Sequence, residues 1–275
     1  MRKHLITAGK ITAFFTAWII TIVISSLEAL EEPQLLKGKA AFLRLWWELT
    51  PLFGILIVTL IFVYFEKDKL KLNKKTHPLK DTLTGTVLGV IWVMAPFSIL
   101  ILLGNMNIES INEAPYLPIW FLAVLFNAIM QEYLVRGYAF RLLSHNYNKV
   151  IAAAVTTVLF VLLHPGAFES GIIAVLNVFT MSIFVSLLLI LTDSLIMPIT
   201  VHFLWNGIGR LIFGAVSLAD DYPAVFNTKI SGSGILTGGK AALEGSIITL
   251  ILNILLCAAV GTVIYKRKKK ESCAK

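Results

Sequence analysis

Long apolar runs alternate with short polar segments along the whole chain. Crossing a hydrocarbon core about 30 Å thick takes roughly 20 helical residues, and most of these runs reach that length. The pattern predicts an all-α fold, a polytopic membrane helical bundle of about eight transmembrane helices. The predicted spans, of which the fifth is the shortest, are residues 11–27, 45–65, 82–104, 117–143, 150–164, 171–191, 194–214 and 246–265.

The composition excludes an ordinary soluble domain. The 275 residues are 57% hydrophobic and only 15% charged, and the mean hydropathy is +0.81. Soluble domains usually carry about 25% charged residues. Since the sequence shows no internal repeat and no linker between two domains, we expect residues 1–275 to form a single integral membrane domain.

Lysines and arginines predict the orientation. They cluster on the predicted inner side, at the N-terminus, in the segment 66–81, at Arg141 and Lys149 and in the tail 266–275, whereas the outer loops are acidic or neutral. Cytoplasmic loops carry excess lysine and arginine, so the pattern predicts a multi-pass protein of a bacterial cell membrane with both termini cytoplasmic. Because the net charge of +8 follows this topology, we expect the lipid bilayer as a partner and no nucleic acid.

The longest connection, residues 219–245, contains the glycine-rich stretches "SGSG" and "TGG". This composition favours a flexible loop outside the membrane, and a lid or a re-entrant segment is the alternative. The two interpretations differ in whether the segment packs against the helices.

Glu132 and Arg136 lie inside the fourth predicted span, four residues apart and therefore on one helix face. Ionisable groups within a membrane are rare, usually paired, and by default mark a functional site. A pair that only locks neighbouring helices is the alternative. The spacing predicts that the two side chains neutralise each other as a structural ion pair.

Two further predicted spans contain polar groups. His164 lies in the last turn of the fifth span, and His202 and Asn206 lie four residues apart in the seventh. A rise of about 1.5 Å per residue places Glu132, His164 and His202 in the middle part of the hydrocarbon core. We therefore expect one intramembrane cavity lined by Gln131, Glu132, His164, His202 and Asn206.

These residues resemble the motifs of the CPBP family of intramembrane proteases, the CAAX-processing and bacteriocin-processing (Abi) family. "QEYLVRG" is similar to the family's first motif, in which two glutamates, three residues and an arginine follow one another. "FVLLH", residues 160–164, and "HFLWN", residues 202–206, resemble the second and third motifs. Their order and their placement on separate helices identify residues 117–214 as a catalytic-type helical core.

The resemblance implies a peptidase that cuts within or near the membrane with an activated water. At the family's positions, Gln131 and His164 would hold and activate this water. His202 and Asn206 would donate hydrogen bonds to the oxyanion, a contribution that can reach several kcal/mol.

Gln131 departs from the family pattern, because an amide orients a water but does not take its proton. Glu132 does not simply substitute, since one residue along a helix turns the side chain by about 100 degrees. In the family pattern, Glu132 and Arg136 match the two positions that brace the motif helix. Three interpretations stay open: Glu132 or His164 is the base around a water held by Gln131, the chain is a natural pseudoenzyme, or glutamine replaced glutamate to trap a substrate.

We expect no cofactor. The alternative is a zinc site of two histidines and one carboxylate, formed by His164, His202 and Glu132. The sequence has no HExxH helix to support it.

Two functions fit these observations. The first is a CPBP-type endopeptidase acting on a peptide or a membrane-protein substrate. The second is a catalytically inactive family member that acts as a membrane scaffold, a bacteriocin-immunity protein or a regulatory binding protein. A transporter is disfavoured, because the sequence shows no paired half-repeats with broken helices.

Overall fold

The computed structural model describes residues 2–28, 33–66, 70, 77–217 and 221–273. Most of these residues are helical, which confirms the predicted all-α membrane bundle. The α-helices are α1 Arg2–Glu28, α2 Ala40–Glu66, α3 Pro78–Leu102, α4 Leu117–Glu132, α5 Ala139–Asn146, α6 Lys149–Leu162, α7 Pro165–Ser170, α8 Ile172–Thr192, α9 Ile196–Asn206, α10 Gly234–Thr237 and α11 Ile247–Cys273. The remaining elements are the π-helical segments Tyr133–Gly137 and Gly207–Ile212, the 3₁₀ turns Gln34–Leu36 and Gly239–Gly245, and the strands β1 Met106–Ile111 and β2 Phe226–Ile230.

Among the described residues, six helical segments are long and apolar enough to cross a membrane. They correspond to six of the eight predicted spans: Arg2–Ile24, Ala40–Glu66, Pro78–Leu102, Leu117–Asn146, Ile172–Thr192 and Gly239–Cys273. The other two predicted spans are shorter in the structure. Helix α6 has 14 residues, and α9 has 11 residues followed by a π-helical segment of 6.

Helix α6 is short because Pro165 disfavours helical geometry in the residue before it. His164 accordingly has φ −116° and ψ 67° and precedes the first residue of α7. The prediction had placed His164 in the last turn of the fifth span, whereas α6 ends two residues earlier, at Leu162.

The first of two compact units contains residues 1–72 and 114–152. Within it, α2 packs against α1 and α4. Gly54 of α2 permits close approach, because a Cβ there would overlap the Thr21 side chain of α1. The Phe14 ring lies 4.9 Å from the Tyr138 ring, centroid to centroid, and both side chains are buried. Aromatic and small residues thus fix the helix contacts of this unit.

The second unit contains residues 73–113 and 153–275. In this unit α3 packs against α9, α8 packs against α11, and β1 pairs with β2 in an antiparallel ribbon. Gly89 lets α3 approach α9, because its Cβ would lie 2.9 Å from Leu204 Cδ1. Trp92 and Trp205 form the centre of the apolar core, with ring centroids 4.6 Å apart.

The predicted loop 219–245 is folded over its described part. Ala219 and Asp220 lie outside the described residues, but β2, α10 and the 3₁₀ turn account for much of the rest. Leu243 is fully buried, and its backbone N–H donates to the Ala215 carbonyl oxygen over 3.0 Å. The segment therefore packs against the helices of its unit rather than forming a structureless loop.

Candidate functional site

The first motif lies where α4 changes into a π-helical segment. Gln131 and Glu132 are the last two residues of α4, and the π-helical turn Tyr133–Gly137 follows directly. Arg136 Nη1 donates to Glu132 Oε2 over 2.8 Å, and both side chains are 0% exposed. Isolated π-helical turns are rare and are frequent at functional sites. The turn places the ion pair completely inside the protein.

Gln131 belongs to a partly buried chain of polar side chains. Its Nε2 donates to Asn127 Oδ1 over 2.7 Å, and Asn127 Nδ2 donates to Glu48 Oε2 over 3.0 Å. Arg44 Nη2 donates to the other oxygen of Glu48 over 2.5 Å. Glu48, in α2, is 3% exposed. The chain thus connects the altered motif position to a buried, ion-paired carboxylate.

Sequence reasoning missed Glu48 and Asn127. Two signals were present: Glu48 lies inside the second predicted span, and Asn127 precedes Gln131 by one helical turn. Intramembrane carboxylates are rare enough to mark a candidate site by default. The criterion applied to Glu132 therefore applies equally to Glu48.

The second motif holds His164 by a backbone contact. His164 Nδ1 lies 2.6 Å from the Phe160 carbonyl oxygen, and the two rings lie 4.2 Å apart. Because a carbonyl oxygen only accepts, Nδ1 carries the proton in this contact. In the neutral ring Nε2 is then the basic nitrogen. The backbone thereby fixes which ring nitrogen of His164 is available for proton transfer.

The third motif lies on α9 and is buried. His202 is 8% exposed and Asn206 is 5% exposed. The His202 ring lies 6.1 Å from the Phe160 ring, so Phe160 contacts both histidine rings within the second unit. A π-helical segment follows Asn206 directly, as one follows Glu132.

The predicted site residues divide between the two units. Gln131 and Glu132 belong to the first unit, whereas His164, His202 and Asn206 belong to the second. Within the first unit Glu132 pairs with Arg136 and Gln131 with Asn127, and within the second unit Phe160 lies against both histidines.

No group of three or more His, Cys, Asp or Glu residues is spaced to hold a metal ion within the described part of the chain.

The structure combines helices of membrane length with polar motif residues, of which Glu132, His202 and Asn206 are buried and Gln131 and His164 are partly buried. These features define a multi-pass membrane protein with candidate hydrolytic residues. Residues 113–208 match the protein-family model described as "Type II CAAX prenyl endopeptidase Rce1-like". This segment contains all three motifs, and the match confirms its predicted resemblance to the CPBP family and its CAAX-protease-like fold. Neither a curated protein nor a solved structure matches the chain.

Proposed function

We propose that this protein is a CPBP-type intramembrane endopeptidase that hydrolyses a peptide bond of a membrane-associated or peptide substrate. The observation that carries the proposal is the family match over residues 113–208, which includes all three motifs in order. The geometry of the motif residues supports it. The tautomer of His164 is fixed by the Phe160 carbonyl oxygen, which suits a general base, and the buried His202 and Asn206 side chains can donate hydrogen bonds to an oxyanion.

In the proposed reaction, His164 is the general base. Gln131 orients the attacking water through its carbonyl oxygen, and His164 Nε2 takes the water proton as the oxygen bonds to the scissile carbonyl carbon. His202 and Asn206 donate hydrogen bonds to the resulting oxyanion. When the carbon–nitrogen bond breaks, His164 returns its proton to the leaving amine, so the reaction consumes one water and regenerates the enzyme.

Glu132 is the other candidate base that the sequence left open. Its carboxylate is fully buried and holds the Arg136 guanidinium at 2.8 Å. Taking a proton would disrupt this buried pair at a cost of several kcal/mol. We therefore assign Glu132 and Arg136 to bracing the motif helix and assign the proton transfer to His164.

The test is peptide cleavage by the purified protein in nanodiscs, comparing the native sequence with His202→Ala. The expected result is cleavage by the native protein and a loss of about 100-fold or more in kcat for His202→Ala. His145→Ala is the matched control, because His145 is exposed on α5 and outside the motifs. Equal cleavage by His202→Ala and His145→Ala would overturn the proposal.

Two added arms separate the remaining interpretations. If only Gln131→Glu cleaves, the native chain is catalytically inactive and the scaffold or immunity function replaces the proposal. A chelator tests the zinc alternative, and the expected result is unchanged cleavage.

A further inference from the structure

The chain Glu48–Asn127–Gln131 has a fixed hydrogen-bond direction. Both oxygens of the Glu48 carboxylate are used, one by Arg44 and the other by Asn127 Nδ2. An ionised carboxylate only accepts hydrogen bonds, so the NH₂ end of Asn127 must face Glu48. The carbonyl end of Asn127 then faces Gln131.

The same reasoning fixes the Gln131 amide. Asn127 Oδ1 accepts only, so Gln131 must present its NH₂ group to it, and the 2.7 Å contact has that direction. The Gln131 carbonyl oxygen is then directed away from the chain. This oxygen is buried and accepts no hydrogen bond from the residues that the structure describes. Buried acceptors are normally satisfied, so the oxygen is suited to an O–H or N–H donor of a ligand.

We propose that Glu48 and Asn127 are positioning residues that orient the Gln131 amide, so that Gln131 presents a carbonyl acceptor to the reacting water. This inference rests on the proposed function in one respect, namely that the group donating to the Gln131 carbonyl oxygen is the reacting water. The orientation itself rests on the contacts among Arg44, Glu48, Asn127 and Gln131.

The proposal explains why an amide suits position 131. A carboxylate at that position would face the Asn127 carbonyl oxygen and set two acceptors against each other. Reversing the Asn127 amide would instead place its carbonyl oxygen against the Glu48 carboxylate, which is also an acceptor. Glutamine is therefore matched to its neighbours, which favours a native variation of the motif over an isolated substitution.

A reciprocal exchange tests this matching. In Glu48→Gln/Gln131→Glu, the new amide at position 48 keeps an oxygen for Arg44 and donates its NH₂ group to Asn127. Asn127 then turns around and donates to the new carboxylate at position 131. Every hydrogen bond is preserved: Arg44 still donates to position 48, and the two contacts of Asn127 have their direction reversed.

The measurement is a double-mutant cycle in thermal unfolding of the full-length protein in detergent. Each single variant is expected to lower Tm, and the double variant should lose roughly 4 °C less than the sum of the single losses. In an Asn127→Ala background, which interrupts the chain, this coupling should disappear.

Glu66→Gln is the matched control. Glu66 is a second buried carboxylate of α2, but its partners are Lys10 and Tyr138. Its Tm loss should add to that of Gln131→Glu, because the two sites share no hydrogen bond. If the losses of Glu48→Gln and Gln131→Glu also add, the fixed orientation of the Gln131 amide is refuted.

Cleavage measurements test the role in the reaction separately. Glu48→Gln permits the amide chain to reverse, which would present the Gln131 NH₂ group in place of its carbonyl oxygen. We expect kcat to fall about 10- to 100-fold with KM unchanged, as for other groups that orient a reacting residue. An unchanged kcat would refute the positioning role, whereas coupling without cleavage by the native protein would overturn the proposed function alone.

Discussion

Replacing Arg136 with methionine should destabilise the protein far more than its single charge suggests. The guanidinium and the Glu132 carboxylate are both 0% exposed and lie 2.8 Å apart. Removing one member of such a pair leaves the other charge in a low-dielectric interior, at a cost of about 3–5 kcal/mol. At roughly 2–4 °C per kcal/mol, Tm should fall by about 6–20 °C.

The assay is thermal unfolding in detergent, followed by tryptophan fluorescence and by the fraction that elutes as a single species. Arg267→Met is the control, because Arg267 pairs with Glu271 at the same i,i+4 spacing with side chains 64% and 63% exposed. An exposed pair contributes about 0.3–0.5 kcal/mol. Glu132→Gln/Arg136→Met should recover part of the loss, since it removes both buried charges. Equal Tm values for Arg136→Met and Arg267→Met would refute the reasoning.

Two further predictions concern packing and topology. Gly209→Ala should lower stability by about 1–3 kcal/mol in the same unfolding assay, because the added Cβ would overlap the Val216 side chain, whereas Gly261→Ala, with open space around its Cβ, should not. Equal stability of the two variants would contradict the close packing. In a Cys257→Ser background, an impermeant thiol reagent should label the exposed Cys273 in inverted vesicles and not in intact cells, since the lysine-rich tail predicts a cytoplasmic C-terminus. Labelling in intact cells would reverse the predicted orientation.

The bundle and its motifs were predictable because both depend on local sequence. Apolar runs of membrane length identify helices whatever their partners, and the family match covers the segment from which the resemblance was drawn. Helix ends were less predictable. Pro165 was visible, yet it ends α6 earlier than the apolar run does, and His164 lies beyond the helix.

Long-range polar contacts were not predictable from spacing alone. Glu48 and Asn127 are 79 positions apart, and only the packing of α2 against α4 brings them together. The glycine-rich composition of the segment after Phe226 suggested a flexible loop, because the long-range contacts that order it are not visible in the sequence. Its order depends on contacts such as Asn177 Nδ2 donating to the Glu244 and Ser246 carbonyl oxygens over 2.9 Å, which a linear pattern does not contain.

The π-helical segments that follow Glu132 and Asn206 bear on how the chain length of such proteins can vary. A π-helical turn accommodates one residue more than the α-helical turn it replaces. Deleting one residue within 133–137 or 207–212 would therefore leave an α-helical turn, with the flanking residues still facing the same neighbours. A deletion within α4 or α9 would instead rotate everything beyond it by about 100 degrees. These two turns are thus the places where the motif helices can gain or lose a residue without changing their buried faces.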